Sequence, residues 1–137
     1  MSAGGLLVAA LLVGVGGGLG SVVRWGIRVL GLRLIAAGGW DRWSEETRPG
    51  TTVLANILAC FLLGIVVARL GSAGGNVELV YLMLAVGFCG GLSTLSTAAS
   101  DIVELVRRPT FSLALAYLLL SAGTGMAALW LGLVLAS

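Results

Sequence analysis

The fold class this sequence predicts is an all-α membrane protein with four transmembrane helices, the third of them broken. Three observations carry that expectation. Only 10% of the 137 residues are charged, where a soluble domain carries about 25%. Mean hydropathy is +1.08 and 58% of residues are hydrophobic, which at roughly 20 apolar residues per span corresponds to about four spans. Charge-free stretches run over residues 6–23, 51–68, 79–100 and 110–137. Residues 1–137 therefore read as a single four-helix transmembrane domain, with almost nothing left for a soluble one.

Helix one, over residues 6–23, is rich in glycine. Gly14, Gly16, Gly17, Gly18 and Gly20 form small-xxx-small pairs, which let helix backbones approach closely in lipid. A dinucleotide-binding reading of these glycines fails, because no strand precedes them and no acidic residue follows at the spacing of a βαβ unit. No Arg or Lys precedes the first apolar run, so it lacks the charged start of a signal peptide and is expected to remain as a helix. The long connection 24–50 follows. Its Ile27, Leu30, Leu34 and Ile35, with Trp40 and Trp43 behind them, suit a short amphipathic helix and an aromatic belt at the membrane interface.

Helix two, over 51–68, holds one strongly polar residue, Asn56, with Thr52 and Cys60 one turn to either side on the same face. An amide in hydrocarbon either bonds a neighbouring helix or faces a pore. Residues 72–76 form a Gly-rich turn into helix three. The second half of that helix, 87–100, reads GFCGGLSTLSTAAS. Glycines and hydroxyl residues are poor helix formers, and Ser93 or Thr94 suits the cap of a restarted helix. A broken helix offers carbonyls to a cation and N–H groups to an anion. The alternative is a glycine kink with Ser and Thr bonding back to their own helix. Arg107, Arg108 and Pro109 make a tight corner before helix four, where Tyr117, Ser121 and Thr124 form one hydroxyl stripe. Such a stripe either replaces an ion's hydration shell or bonds between helices.

Composition and charge narrow the chemistry. With no His, the His-based triads and His-ligated metal sites are absent, and an enzyme is not expected. Cys60 and Cys89 lie inside apolar stretches and read as buried thiols. All eight basic residues are Arg, and in so apolar a chain they mark membrane edges; no nucleic-acid partner is implied. Asp101 and Glu104 stand near Arg107 and Arg108 at the end of helix three, so no carboxylate lies mid-membrane. The in-membrane donors are then neutral amides and hydroxyls, with Arg24 at a helix end, a set that favours an anion. Connections one and three share a side of the membrane and hold seven of the eight Arg, the other side only Arg69. The positive-inside rule makes the seven-Arg side cytoplasmic and both termini extracytoplasmic.

Three segments in order resemble the CrcB/Fluc family of fluoride channels. They are Gly17-Gly18-Leu19-Gly20-Ser21-Val22-Val23-Arg24-Trp25; Gly50-Thr51-Thr52-Val53-Leu54-Ala55-Asn56, with Phe61 and Gly64; and Gly87-Phe88-Cys89-Gly90-Gly91-Leu92-Ser93-Thr94-Leu95-Ser96-Thr97-Ala98. The resemblance spans nearly the whole chain. It implies an antiparallel dimer of four-helix subunits in the cell membrane, exporting fluoride through pores along the dimer interface. It also implies a structural Na⁺ on the two-fold axis. By motif position, Asn56 is a pore donor, Gly90 and Ser93 supply carbonyls to Na⁺, and Ser96, Thr97, Tyr117 and Ser121 line the anion path, with Arg24 near a vestibule.

Where the family carries two phenylalanines, whose positive ring edges meet the anion, this sequence has Leu95 and Ala98. Its own contribution to that constriction is degenerate. Together with the one-sided Arg distribution, this points to one half of a heterodimer with an oppositely oriented CrcB/Fluc paralogue that supplies the aromatic residues. The alternatives are a four-helix exporter of the small-multidrug type, disfavoured by the missing intramembrane carboxylate, and a non-conducting structural subunit.

Overall fold

The computed structural model describes residues 3–38, 48–72, 74–93, 95–107 and 111–137, and all of its regular elements are helical. In chain order they are α1 (Ala3–Ala37), α2 (Arg48–Leu70), α3 (Asn76–Tyr81), a π-helical segment (Leu82–Cys89), α4 (Gly90–Leu92), α5 (Leu95–Arg107) and α6 (Phe111–Ala136). Among the described residues, three helices are long and apolar enough to cross a membrane: Ala3–Leu34, Gly50–Leu70 and Ala114–Ala136. A shorter apolar stretch, Val77–Leu92, joins them. It stops at Ser93, whose backbone is extended (φ −76°, ψ 152°). The helix restarts at Leu95, so helix three is broken as the sequence predicts.

One boundary differs from the sequence-based expectation. Helix one does not end near Val23 and give way to a separate amphipathic helix; α1 runs unbroken for 35 residues, about 52 Å at 1.5 Å per residue. The reason is the lack of a strong helix breaker: no Pro interrupts residues 24–37, and Gly26 and Gly31 alone do not stop a helix already propagating. Arg24, Arg28 and Arg33 are therefore held on the helix itself. Trp40 and Trp43 lie outside the described residues, as do Arg108, Pro109 and Thr94.

The molecule is apolar outside and small inside. Leu7, Leu11, Met126 and Trp130 are each about 70% exposed, the pattern of side chains that meet lipid tails. The buried positions are mostly Ala and Gly, with Ala55, Ala59 and Leu92 exposed by 2% or less. Lipid offers no hydrophobic drive for helices to associate, so close backbone packing between small residues takes its place.

Two such contacts organise the fold. In the first, α1 lies against the π-helical segment and α4. A Cβ added at Gly16 would strike the Met83 carbonyl, one at Gly20 the Phe88 carbonyl, and one at Gly91 the Gly17 carbonyl. In the second, α2 crosses α6. A Cβ at Gly64 would strike the Leu129 carbonyl and one at Gly132 the Phe61 carbonyl. The first contact accounts for Gly16 and Gly20 in helix one, whereas a Cβ at Gly14 or Gly18 would meet nothing within 4 Å. Gly75 (φ +70°), the only positive-φ residue among those described, turns the chain into α3.

Candidate functional site

The polar groups of the interior gather where α2, α5 and α6 meet. Along α2, Thr52, Ala55 and Ala59 recur every three or four residues and are buried. The Tyr117 hydroxyl donates to Asp101 Oδ2 at 3.2 Å, and Thr52 shares a side-chain hydrogen bond with Tyr117. Tyr117 is only 9% exposed and Thr52 8%. A polar chain thus runs from α2 through α6 to α5, braced by Ala114, Val53 and Ile102. Asn56, one turn further along α2, is half-buried.

At the other side of Thr52 lies a cavity of about 170 Å³ between α1 and α2, lined by Ser21, Arg24, Trp25, Arg28, Thr51, Thr52 and Ala55. It combines two guanidinium groups with three hydroxyls and, among the described residues, no carboxylate lines it. Arg24 is half-buried, whereas Arg28 and Trp25 are exposed at the rim. The arrangement favours an anion: cationic and hydroxyl donors face a space whose floor, Thr52, is bonded onward to Tyr117.

The break forms a second cluster. Ser93 N donates to the Cys89 carbonyl at 2.9 Å, and its hydroxyl lies 3.5 Å from the Gly90 carbonyl. Ser93 therefore turns back towards the helix it ends. Ser21 Oγ stands 3.5 Å from the Gly91 carbonyl, tying α1 to α4. Gly90 is exposed, and a Cβ there would meet nothing within 4 Å. No group of three or more His, Cys, Asp or Glu side chains that would hold a metal is found among the described residues.

The predicted site residues fall unevenly across this geometry. Arg24 lines the cavity, Tyr117 anchors the polar chain, and Gly90 and Ser93 stand at the break. Ser96, Thr97 and Leu95 belong to the first turn of α5, with side chains outside the described residues; Ala98 follows, half-buried. Ser121 is half-buried on α6, but Thr124 donates to the Leu120 carbonyl at 2.6 Å, which closes its hydroxyl on its own helix. Both cysteines are free thiols; Cys89 is buried and Cys60 half-buried.

Asp101 is the site residue that sequence reasoning missed. It stands near the arginines in the chain, yet it accepts a hydrogen bond from Tyr117 on α6. The spacing held a signal for this: Asp101 and Tyr117 stand eight residues to either side of Pro109, and in a helical hairpin such residues come level. Ser21, Arg28 and Thr51 also join the site only through the packing of α1 on α2.

Residues 11–133 match the family described as CrcB-like protein, Camphor Resistance (CrcB). The chain is 38% identical over 129 residues to the fluoride-specific ion channel FluC of Phenylobacterium zucineum, covering 93% of this chain and 94% of that protein. The chain belongs to the CrcB family. It is also 33% identical to the FluC of Azobacteroides pseudotrichonymphae, over 95% of this chain and 97% of that one. A Rhodococcus jostii relative, fluoride-specific ion channel FluC 2, is 34% identical over 95% of this chain and its own full length. CrcB-family membership fits the membrane-spanning helices.

Proposed function

We propose that this chain is a fluoride channel subunit that lets fluoride leave the cell. Near full-length relatives named fluoride-specific channels support the reading, and one observation within the molecule carries it. The cationic cavity at Arg24 shares Thr52 with the polar chain to Tyr117, so an anion attracted at the membrane surface meets hydroxyl donors in succession. Asn56 supplies an amide donor on α2, and Ser96, Thr97, Tyr117 and Ser121 carry the path along α5 and α6. Neutral donors suit a small anion that must shed and regain its water, because a fixed positive charge deep in the membrane would hold it too tightly to pass.

The subunit works as one half of an antiparallel dimer. An open groove of about 510 Å³ over Ala99, Ser100, Val103, Glu104 and Arg107 runs along α5. Charged and hydroxyl side chains at that position suit a protein partner better than lipid tails. The partner is a paralogue of opposite orientation: seven of eight Arg on one side hold this chain to a single topology, and Leu95 and Ala98 bring no aromatic edge to a constriction. The number in the Rhodococcus name FluC 2 is in keeping with channels that occur as more than one chain.

The backbone carbonyls of Gly90 and Ser93 are the groups that would hold a structural Na⁺ on the dimer axis. The donor set fits: a hard cation takes oxygen ligands, and Gly90 is exposed beside a helix break with open space around it. Such an ion would neutralise carbonyl dipoles released by the break and tie two subunits together there.

Fluoride efflux from liposomes tests the whole reading. The chain reconstituted alone should pass almost no fluoride, and co-reconstitution with an oppositely oriented paralogue carrying both phenylalanines should restore a fluoride-selective flux. Robust selective flux from the lone chain would sink the heterodimer and leave a homodimer with a tolerant constriction.

A further inference from the structure

We infer that the cavity between α1 and α2 is also a binding site for the headgroup phosphate of an anionic lipid. Three features of its place in the fold point there. Arg24 directly follows the charge-free stretch 6–23, which as helix is about 27 Å long at 1.5 Å per residue, close to the thickness of the hydrocarbon core, about 30 Å. The cavity therefore opens at headgroup depth. Trp25 beside it is 66% exposed, as an indole anchored in the interface is, and it shares the rim with the exposed Arg28.

Size and chemistry agree with the depth. The cavity measures about 170 Å³, several times one water's share of liquid volume, about 30 Å³, so fluoride alone leaves most of it unfilled. A phosphodiester carries one negative charge and several acceptor oxygens. Arg24 and Arg28 supply positive charge and N–H donors to it, and Ser21 and Thr51 supply hydroxyls. Basic pockets between transmembrane helices are a recurrent way of holding anionic headgroups. The exposed Leu19, Val22 and Val23, on the hydrocarbon side of Arg24 along α1, give the helix an apolar surface on which acyl chains lie.

The headgroup occupies the rim, at Arg28 and Trp25, and the floor at Thr52 stays with the anion path. Lipid preference and fluoride flux are separate readouts, so either reading can fail without the other.

The test uses the full chain in the assembly in which it purifies, with Trp40, Trp43 and Trp130 changed to Phe so that Trp25 is the reporter. It is placed in phosphatidylcholine vesicles containing a minority of brominated phosphatidylglycerol, or the same fraction of brominated phosphatidylcholine. Brominated phosphatidylglycerol should quench Trp25 well beyond its share of the lipid. Arg24→Gln with Arg28→Gln should lower that preference by about thirty-fold, while Arg24→Lys with Arg28→Lys, equal in helicity by circular dichroism, should keep most of it. Equal quenching by both lipids would overturn the proposal, as would a Gln variant that keeps the preference or a Lys variant that loses it. Loss of the preference on adding inorganic phosphate would also overturn it, by naming a free anion as the ligand.

Discussion

The two halves of helix three are held by different forces. Before Ser93, the π-helical segment and α4 lie backbone to backbone against α1, so closely that a Cβ added at Gly16, Gly20, Gly87 or Gly91 would strike the facing backbone. After Ser93, α5 is amphipathic and reaches the rest of the molecule through side chains, Asp101 to Tyr117 above all. The first half is a structural clamp that tolerates no added atom at Gly87 or Gly91. The second tolerates many, but its chemistry depends on individual polar groups. A break in the backbone at Ser93 lets one segment serve both purposes, because an uninterrupted helix would carry the glycine face and the polar face in a single fixed register.

Gly91→Val gives the largest effect expected from this contrast. A side chain there meets the Gly17 backbone, which has no rotamer to yield, so the variant should lose more than the roughly 1–3 kcal/mol usual for overpacking. Size-exclusion chromatography after mild heating should show no folded protein. If the variant is recovered in normal yield, the clamp is looser than described.

Next comes Asn56→Asp, on the polar side of the contrast. It replaces an amide donor by an acceptor that can carry a negative charge. At about 4 Å and an effective dielectric near 20, like charges repel by about 4 kcal/mol, so fluoride flux through the assembled channel should fall at least about a hundred-fold with folding retained. Unchanged flux would remove Asn56 from the path.

Tyr117→Phe should act more mildly. It leaves Asp101 and Thr52 without their shared hydroxyl, at a cost of about 1–3 kcal/mol for polar groups left unsatisfied in the interior. The expected result is a flux reduced about ten-fold, corresponding to about 1.4 kcal/mol, with α1 and α4 still packed. An equal loss of thermal stability in Tyr117→Phe and Gly91→Val would erase the distinction between the two halves.

Ser93→Ala should do least. The hydroxyl's 3.5 Å approach to the Gly90 carbonyl is too long to hold much energy, and the extended backbone at Ser93 suits alanine as well. Stability should change by no more than about 0.5 kcal/mol, and efflux should stay near that of the parent. A severe loss would transfer the role of the break from backbone to side chain.

The helix count, the break in helix three and the close-packing purpose of the glycines were legible in the sequence. Each follows from local composition: charge-free length sets the spans, and clustered Gly, Ser and Thr weaken one helix at a known place. The end of helix one was not legible, since Arg24, Arg28 and Arg33 look like a membrane boundary whether the chain turns there or continues as helix. Nor was the fate of Thr124, whose hydroxyl serves its own backbone.

What the sequence by itself determined is the membrane setting, the four apolar segments and the inventory of neutral donors, because hydropathy and helix propensity act on residues near one another in the chain. What only the tertiary structure decided is which donors meet. Ser21, Arg24, Arg28, Thr51 and Thr52 surround one cavity because α1 continues beyond its apolar stretch and leans on α2. Tyr117 finds Asp101 and Thr52 because α6 crosses α2 on Gly64 and Gly132. Such meetings depend on the angle and depth at which helices cross, and those are set by contacts between residues far apart in the chain.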